Sequence, residues 1–213
     1  MKTITYKNEA LSEVAVYKKL GALTKDKSGW ERHIPDLAAL LASGSPKIQA
    51  KALWLLGEMG LLHPDKIAGC VPALAAFLGS RDSLLRARSL TALGRIGRGD
   101  FSVIAAYWKA LFRFAKDPAP CVRLHFIWAS ENIAMNTPEI YSDYMDVFAG
   151  LLSDADDKVR MEAPEIFRVL GKRRPELVQP YIGQLAKIAE ADQNRVVRIH
   201  AEGAIRGCSE SSR

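Results

Sequence analysis

The feature that most restricts what this chain can fold into is a period of 37 residues. Ile48, Leu85, Val122 and Val159 stand 37 apart, and Val197 follows after 38. A second column, Ile34, Val71, Trp108, Met145 and Ile182, keeps the step of 37 throughout, and so do Leu37, Leu74, Leu111, Phe148 and Leu185. A period of this size marks a supersecondary unit that cannot cover its own apolar side and must stack on copies of itself.

Within each unit the apolar residues recur at i, i+3 and near i+7, the stripe of an amphipathic helix. The columns predict two helices per unit, over about Pro35–Ala42 and Lys47–Met59 in the first clear one. Pro64, Pro138 and Pro175 share a column, with Phe101 in the remaining place. Proline costs no hydrogen bond in a first turn, and Asp65, Glu139 and Glu176 then face the positive end of the helix dipole. Thr137 is the predicted N-cap before Pro138. Ser43-Gly44-Ser45-Pro46 and Asp117-Pro118-Ala119-Pro120 read as the turns inside hairpins. Pro164 falls inside a predicted second helix and predicts a kink.

The repeats are expected at about residues 31–63, 64–100, 101–137, 138–174 and 175–206. Residues 1–30 are expected to form an N-terminal cap, with one helix from Asn8 to Thr24, and residues 207–213 a flexible tail without an apolar anchor. The 213 residues are 48% hydrophobic and 25% charged, ordinary for a globular chain, and the net charge is +6. That charge admits a nucleic acid or an acidic partner without requiring one. Cys70, Cys121 and Cys208 form no CxxC pair, and no apolar targeting or membrane-length segment occurs. The expectation is a cytoplasmic monomer with no membrane partner.

At Asp156-Asp157-Lys158-Val159-Arg160, Ser83-Leu84-Leu85-Arg86 and Ala92-Leu93-Gly94-Arg95-Ile96-Gly97 the sequence resembles the HEAT-repeat family, with its acidic turn, Val-Arg start and Ala-Leu-Gly-x-Ile-Gly close. The resemblance covers about residues 31–206, with Gln49 in the first unit where the others carry arginine. Tetratricopeptide units are 34 residues with a different signature, and armadillo units are longer. The expected fold is an all-α, right-handed α-solenoid of about five HEAT-type hairpins plus a capping helix. The resemblance implies that second helices line a concave face.

Counted from the Ile48 column, offsets 0, 4, 8 and 11 are mostly apolar and are expected to bury. Offsets 2, 3, 6 and 10 vary and are expected to face outward. The candidate binding residues are therefore Lys51, Trp54, Glu58, Arg88, Arg95, Leu124, His125, Trp128, Met161, Glu162 and Glu165. They pass from a basic, aromatic half to an acidic, apolar half. Tryptophan on an outward column marks an interface when a partner desolvates it; the alternative is packing between neighbouring second helices. The column Arg86, Arg123, Arg160 and Arg198 lies close to Asp117, Asp154 and Asp192. It reads as a structural ladder between turns, not a phosphate track.

No metal ligand set and no nucleophile–base pair stands out. His33, His63, His125 and His200 are scattered, and Cys121 with His125 reads as packing beside a surface histidine. The functional expectation is a non-enzymatic adaptor that holds a protein partner and needs no cofactor. The alternative is a DNA-binding protein similar to HEAT-like alkylated-base glycosylases. In that case Trp54 and Trp128 would stack on bases, Arg88 and Arg95 would take phosphates, and Glu58 would stabilise a cationic sugar. Assistance to a prosthetic-group lyase is a third, weaker reading.

Overall fold

The computed structural model describes residues 3–7 and 9–210, which fall into two compact units, 1–108 and 109–213. Unit 1 opens with an antiparallel β-hairpin, β1 (Thr3–Tyr6) and β2 (Glu9–Ser12), paired from Thr3 with Ser12 to Tyr6 with Glu9. The helix α1 (Glu13–Lys25) follows, capped by Ser12, whose hydroxyl accepts from the Ala15 amide at 3.3 Å. The sequence placed a helix from Asn8. Asn8 lies outside the described residues, and Glu9–Ser12 is strand. Ile4 and Tyr6 alternate inward from β1, and this period of two escapes a search for helical spacing.

Two hairpins complete unit 1. The first pairs α2 (Ile34–Leu40) with α3 (Pro46–Leu62). The second runs through α4 (Pro64–Ile67) and α5 (Val71–Ala76) into α6 (Ser83–Gly99). In unit 2, after α7 (Ala105–Leu111), which spans the boundary, come α8 (Pro120–Ala134), α9 (Met145–Leu151) and α10 (Asp157–Gly171). The last pair is α11 (Pro175–Val178) with α12 (Ile182–Ala191), packed on α13 (Arg195–Glu210).

The second helices are continuous, whereas the first helices are broken by 3-10 turns such as Ala68–Cys70 and Gln179–Tyr181. Pro72 and Pro180 sit at these breaks, where a missing amide does least harm. Three second helices, α3, α6 and α10, start on side-chain caps, Ser45, Asp82 and Asp156, each accepting a first-turn amide, whereas α8 starts at Ala119 without one. Thr137 occupies its expected N-cap place, but its hydroxyl makes no capping hydrogen bond, and Pro138 starts a 3-10 helix. Helix α10 runs through Pro164 without interruption. Residues 207–210, expected in a flexible tail, are helix: α13 extends to Glu210, with Gly207 and Cys208 buried, and residues 211–213 lie outside the described residues.

The core follows the period. Offsets 0, 4, 8 and 11 of all five second helices are buried, save Ile205. In unit 2 the aromatic members cluster: Phe126 stacks on Phe148 at 5.4 Å, and the Tyr141 hydroxyl donates to the Ser130 carbonyl at 3.0 Å. In unit 1 the packing of α3 on α6 depends on glycine. A Cβ on Gly57 would lie 2.6 Å from the Ala92 Cα, a backbone atom that cannot swing aside. Gly57→Ala is therefore expected to destabilise the chain by about 1–3 kcal/mol, despite alanine's better helix propensity. A urea titration measures it; an unchanged midpoint would mean the helices can part without cost.

The arginine column is the ladder expected from the sequence. Arg123 reaches its own turn through the Asp117 carbonyl at 2.8 Å, and grips both Asp154 carboxylate oxygens of the next repeat at 2.7 Å. Arg160 repeats the pattern on the Asp154 carbonyl at 2.7 Å and the Asp192 carboxylate at 3.3 Å. Arg86 and Arg198 bind their own turns at Ser80 and Asp192. Gln49, standing in the same column, donates instead to the Leu41 carbonyl at 2.8 Å.

Candidate functional site

The outward columns of the second helices hold half-buried side chains in both units. In unit 1, α1, α3 and α6 enclose an open cleft of about 390 Å³ lined by Tyr17, Lys47, Ala50, Lys51, Trp54, Leu84 and Arg88. Three sequence candidates, Lys51, Trp54 and Arg88, meet here. The repeat explains why: Lys51 and Arg88 hold offset 3 in adjacent repeats, and Trp54 is one turn beyond Lys51 on the same face. The Lys51 ammonium lies 4.3 Å from the Trp54 ring, and Lys47 lies 4.4 Å from the Tyr17 ring. Burial lowers the Lys51 amine below its ordinary pKa, and the nearby Arg88 charge lowers it further.

Tyr17, Lys47 and Leu84 were not among the candidates. Tyr17 comes from the capping helix, and Leu84 from offset −1, so the offset rule reached neither. Both are exposed for their size, at 39% and 44%. Ala50, at offset 2, is buried at the cleft floor.

Glu58 and Arg95 were read as separate binding groups, but they pair with each other. Both hold offset 10, and the Arg95 fork meets the Glu58 carboxylate at 2.7 and 2.8 Å. This close ion pair, with a hydrogen bond from Arg95 Nη2 to Glu58 Oε2, sets the two charges against each other.

Unit 2 gathers a different set. His125 packs edge-on against Trp128 at 4.7 Å. Leu124 and Met161 are half-buried on the same faces. Glu162, in reach of the Trp128 indole N–H, is raised above the usual carboxylate range chiefly by burial and then by Glu165, with the indole opposing. Glu165 accepts from Arg168 Nε at 2.6 Å and lies 3.4 Å from His200 Nδ1. That His200 nitrogen also lies 2.7 Å from the Met161 carbonyl.

Beside these stands Glu131, which the sequence reading missed. Its Oε1 is buried without a hydrogen-bond partner. Burial first, then the charges of Glu162 and Glu165, push its pKa up to about 9 against the relief given by Arg168. Glu131 is therefore a neutral acid at pH 7. The signal was present: offset 9 carries Gly57 and Gly94 in the first two repeats and a carboxylate here.

Among the described residues, no three His, Cys, Asp or Glu side chains are gathered to hold a metal, and no helix is long and apolar enough to cross a membrane. The three cysteines are free.

Solved structures resemble this fold over nearly its whole length. An engineered protein matches with a TM-score of 0.71 at 18% identity, over 92% of this chain and 91% of its own. A designed armadillo repeat protein in complex with peptide (KR)4 matches at 0.66 and 21%, over 90% and 92%. A chain from the complex of CpcE and CpcF of phycocyanin lyase from Nostoc sp. PCC7120 matches at 0.61 and 22%, over 81% and 98%. These likenesses show an all-α repeat solenoid. No curated protein matches the chain. The family model described as sister chromatid cohesion protein PDS5 matches residues 8–202, from the capping segment into the last helix. That span takes in every helix from α1 to α12 and the first half of α13, and the chain belongs to the PDS5 family of HEAT-repeat proteins.

Proposed function

We propose that the chain is a non-enzymatic scaffold that holds a segment of a protein partner against the outward faces of its second helices. The observation that carries the reading is the unit 1 cleft, where Trp54, Tyr17 and Leu84 stand partly exposed beside Lys47, Lys51 and Arg88. Tryptophan, tyrosine and arginine yield most of the energy at interfaces once a partner excludes water from them. A designed armadillo repeat protein of similar fold is in complex with a peptide, (KR)4, which supports a peptide-holding reading of the fold.

The glycosylase reading is less well supported. It asks Glu58 to stabilise a cation and Arg95 to take a phosphate, yet each is engaged by the other.

The test is retention on the tagged full chain. A protein recovered in stoichiometric amount, with no duplex DNA bound at low salt, is the expected result. Tight DNA binding with no protein recovered would end the scaffold reading. Trp54→Ala is expected to weaken retention by roughly tenfold or more while lowering the melting temperature less than Leu85→Ala does. Equal falls in melting temperature would make Trp54 a packing residue.

A further inference from the structure

The cleft between α1, α3 and α6 has a charge as well as a shape. Lys47, Lys51 and Arg88 all line it, and no carboxylate does. Among the described residues none of the three has an ion-pair partner; Lys47 and Lys51 instead sit against aromatic rings. Burial and the neighbouring Arg88 charge both work against the Lys51 ammonium, so an anion in the cleft would relieve it. Lys51 and Arg88, 37 residues apart in one column, are held together by the repeat with like charges facing the same space.

The remaining lining is apolar. Trp54, Ala50 and the exposed Tyr17 and Leu84 form a surface that water solvates poorly. An occupant that satisfies the cleft must therefore carry negative charge and an apolar group within a few ångströms of each other. An acidic peptide does this, because carboxylates and a leucine or aromatic side chain alternate along one backbone. A nucleic acid backbone presents its phosphates at regular intervals and needs cations spaced to match. Here the free cations converge on one place, while Arg95, next in line on α6, is engaged by Glu58.

We propose that this cleft is the docking site for an acidic peptide segment with an apolar anchor, its carboxylates facing Lys47, Lys51 and Arg88 and its anchor resting on Trp54, Tyr17 and Leu84. The assignment rests on the scaffold reading and names the chemistry of the partner at one place on it. It predicts binding that weakens with salt, since these charges are partly solvated.

The experiment measures fluorescence anisotropy of a labelled peptide of glutamates with a central leucine and phenylalanine, titrated with the full chain. The glutamine version of the peptide and a single strand of deoxythymidines are the comparison probes. The acidic peptide is expected to bind, and the glutamine version to lose about tenfold or more. The Lys51→Glu/Arg88→Glu chain is expected to lose the acidic peptide by at least that factor, with circular dichroism confirming an unchanged fold. The milder Lys51→Gln/Arg88→Gln chain serves if the reversal does not fold. Equal binding of the acidic and glutamine peptides, or indifference to both double substitutions, would overturn the assignment. So would tighter binding of the deoxythymidine strand through the same residues. Recovery of one partner by both the native and the substituted chain would overturn it while leaving the scaffold standing; recovery by neither would remove the scaffold reading itself.

Discussion

Glu131→Gln is expected to make the chain more stable at pH 7, by about 1–3 kcal/mol. The carboxyl has a folded-state pKa of about 9 against an ordinary 4.5, and its Oε1 is buried without a partner. Between those two values the folded chain keeps a proton that the unfolded chain releases. The folded state binds more protons there, so stability falls as pH rises across that window, with a slope approaching about 1.4 kcal/mol per pH unit. Glutamine carries no ionisable group and removes the penalty. Its amide can also donate toward Glu162 and Glu165, the two carboxylates whose charges raise Glu131. Arg168 works the other way, and His200 lies against Glu165, so both help set the exact window. Chemical denaturation of the native and substituted chains between about pH 5 and pH 9 measures the effect. The gap should widen with pH. A flat native profile, or a glutamine chain no more stable than the native one, would show that Glu131 reaches water and ionises freely.

Arg123→Ala is expected to act in the opposite direction and to cost about 2–4 kcal/mol. The guanidinium is 14% exposed and the Asp154 carboxylate 8%. Removing the first leaves the second buried, with the Asp156 amide as its remaining close donor at 2.9 Å. Burial alone would raise the Asp154 pKa. The Arg123 hydrogen bonds, the Asp156 amide and the charges of Arg123 and Arg160 together bring it below the ordinary value. A lowered carboxylate pKa contributes stability above the unfolded-state value, and that contribution is lost as pH falls through the folded-state value. The deficit of the alanine chain should therefore be largest near neutrality and shrink in acid. A deficit that stays constant with pH would assign the loss to packing of the arginine stem alone.

The two predictions lie on either side of what the repeat encodes, and they show how far it reaches. The ladder was legible because its members recur: Arg123 and Arg160 hold one column, Asp154 and Asp192 another, and a spacing close to one repeat brings them to adjacent turns. The same rule carried Lys51 and Arg88 into one cleft. It set Glu58 and Arg95 in one outward column without registering that two opposite charges one repeat apart there pair with each other. It passed over Glu131 because its column, Gly57, Gly94, Glu131, Arg168 and Arg206, keeps no residue type from repeat to repeat. It also misread Glu9–Ser12, whose contacts come from pairing with β1 and not from the repeat.

The sequence by itself determined the repeat, the helix pair within it and the buried columns. These depend on residues near one another in the chain or separated by a constant step, so spacing alone encodes them. Only the tertiary structure decided how far each outward side chain is withdrawn from water and which neighbour takes its charge. Those outcomes depend on helix rotation and on groups from elements outside the period. Tyr17 at the cleft and the neutral acid at Glu131 are both of that kind. A half-buried charge is decided by what stands within a few ångströms of it, and no interval along the chain records that distance.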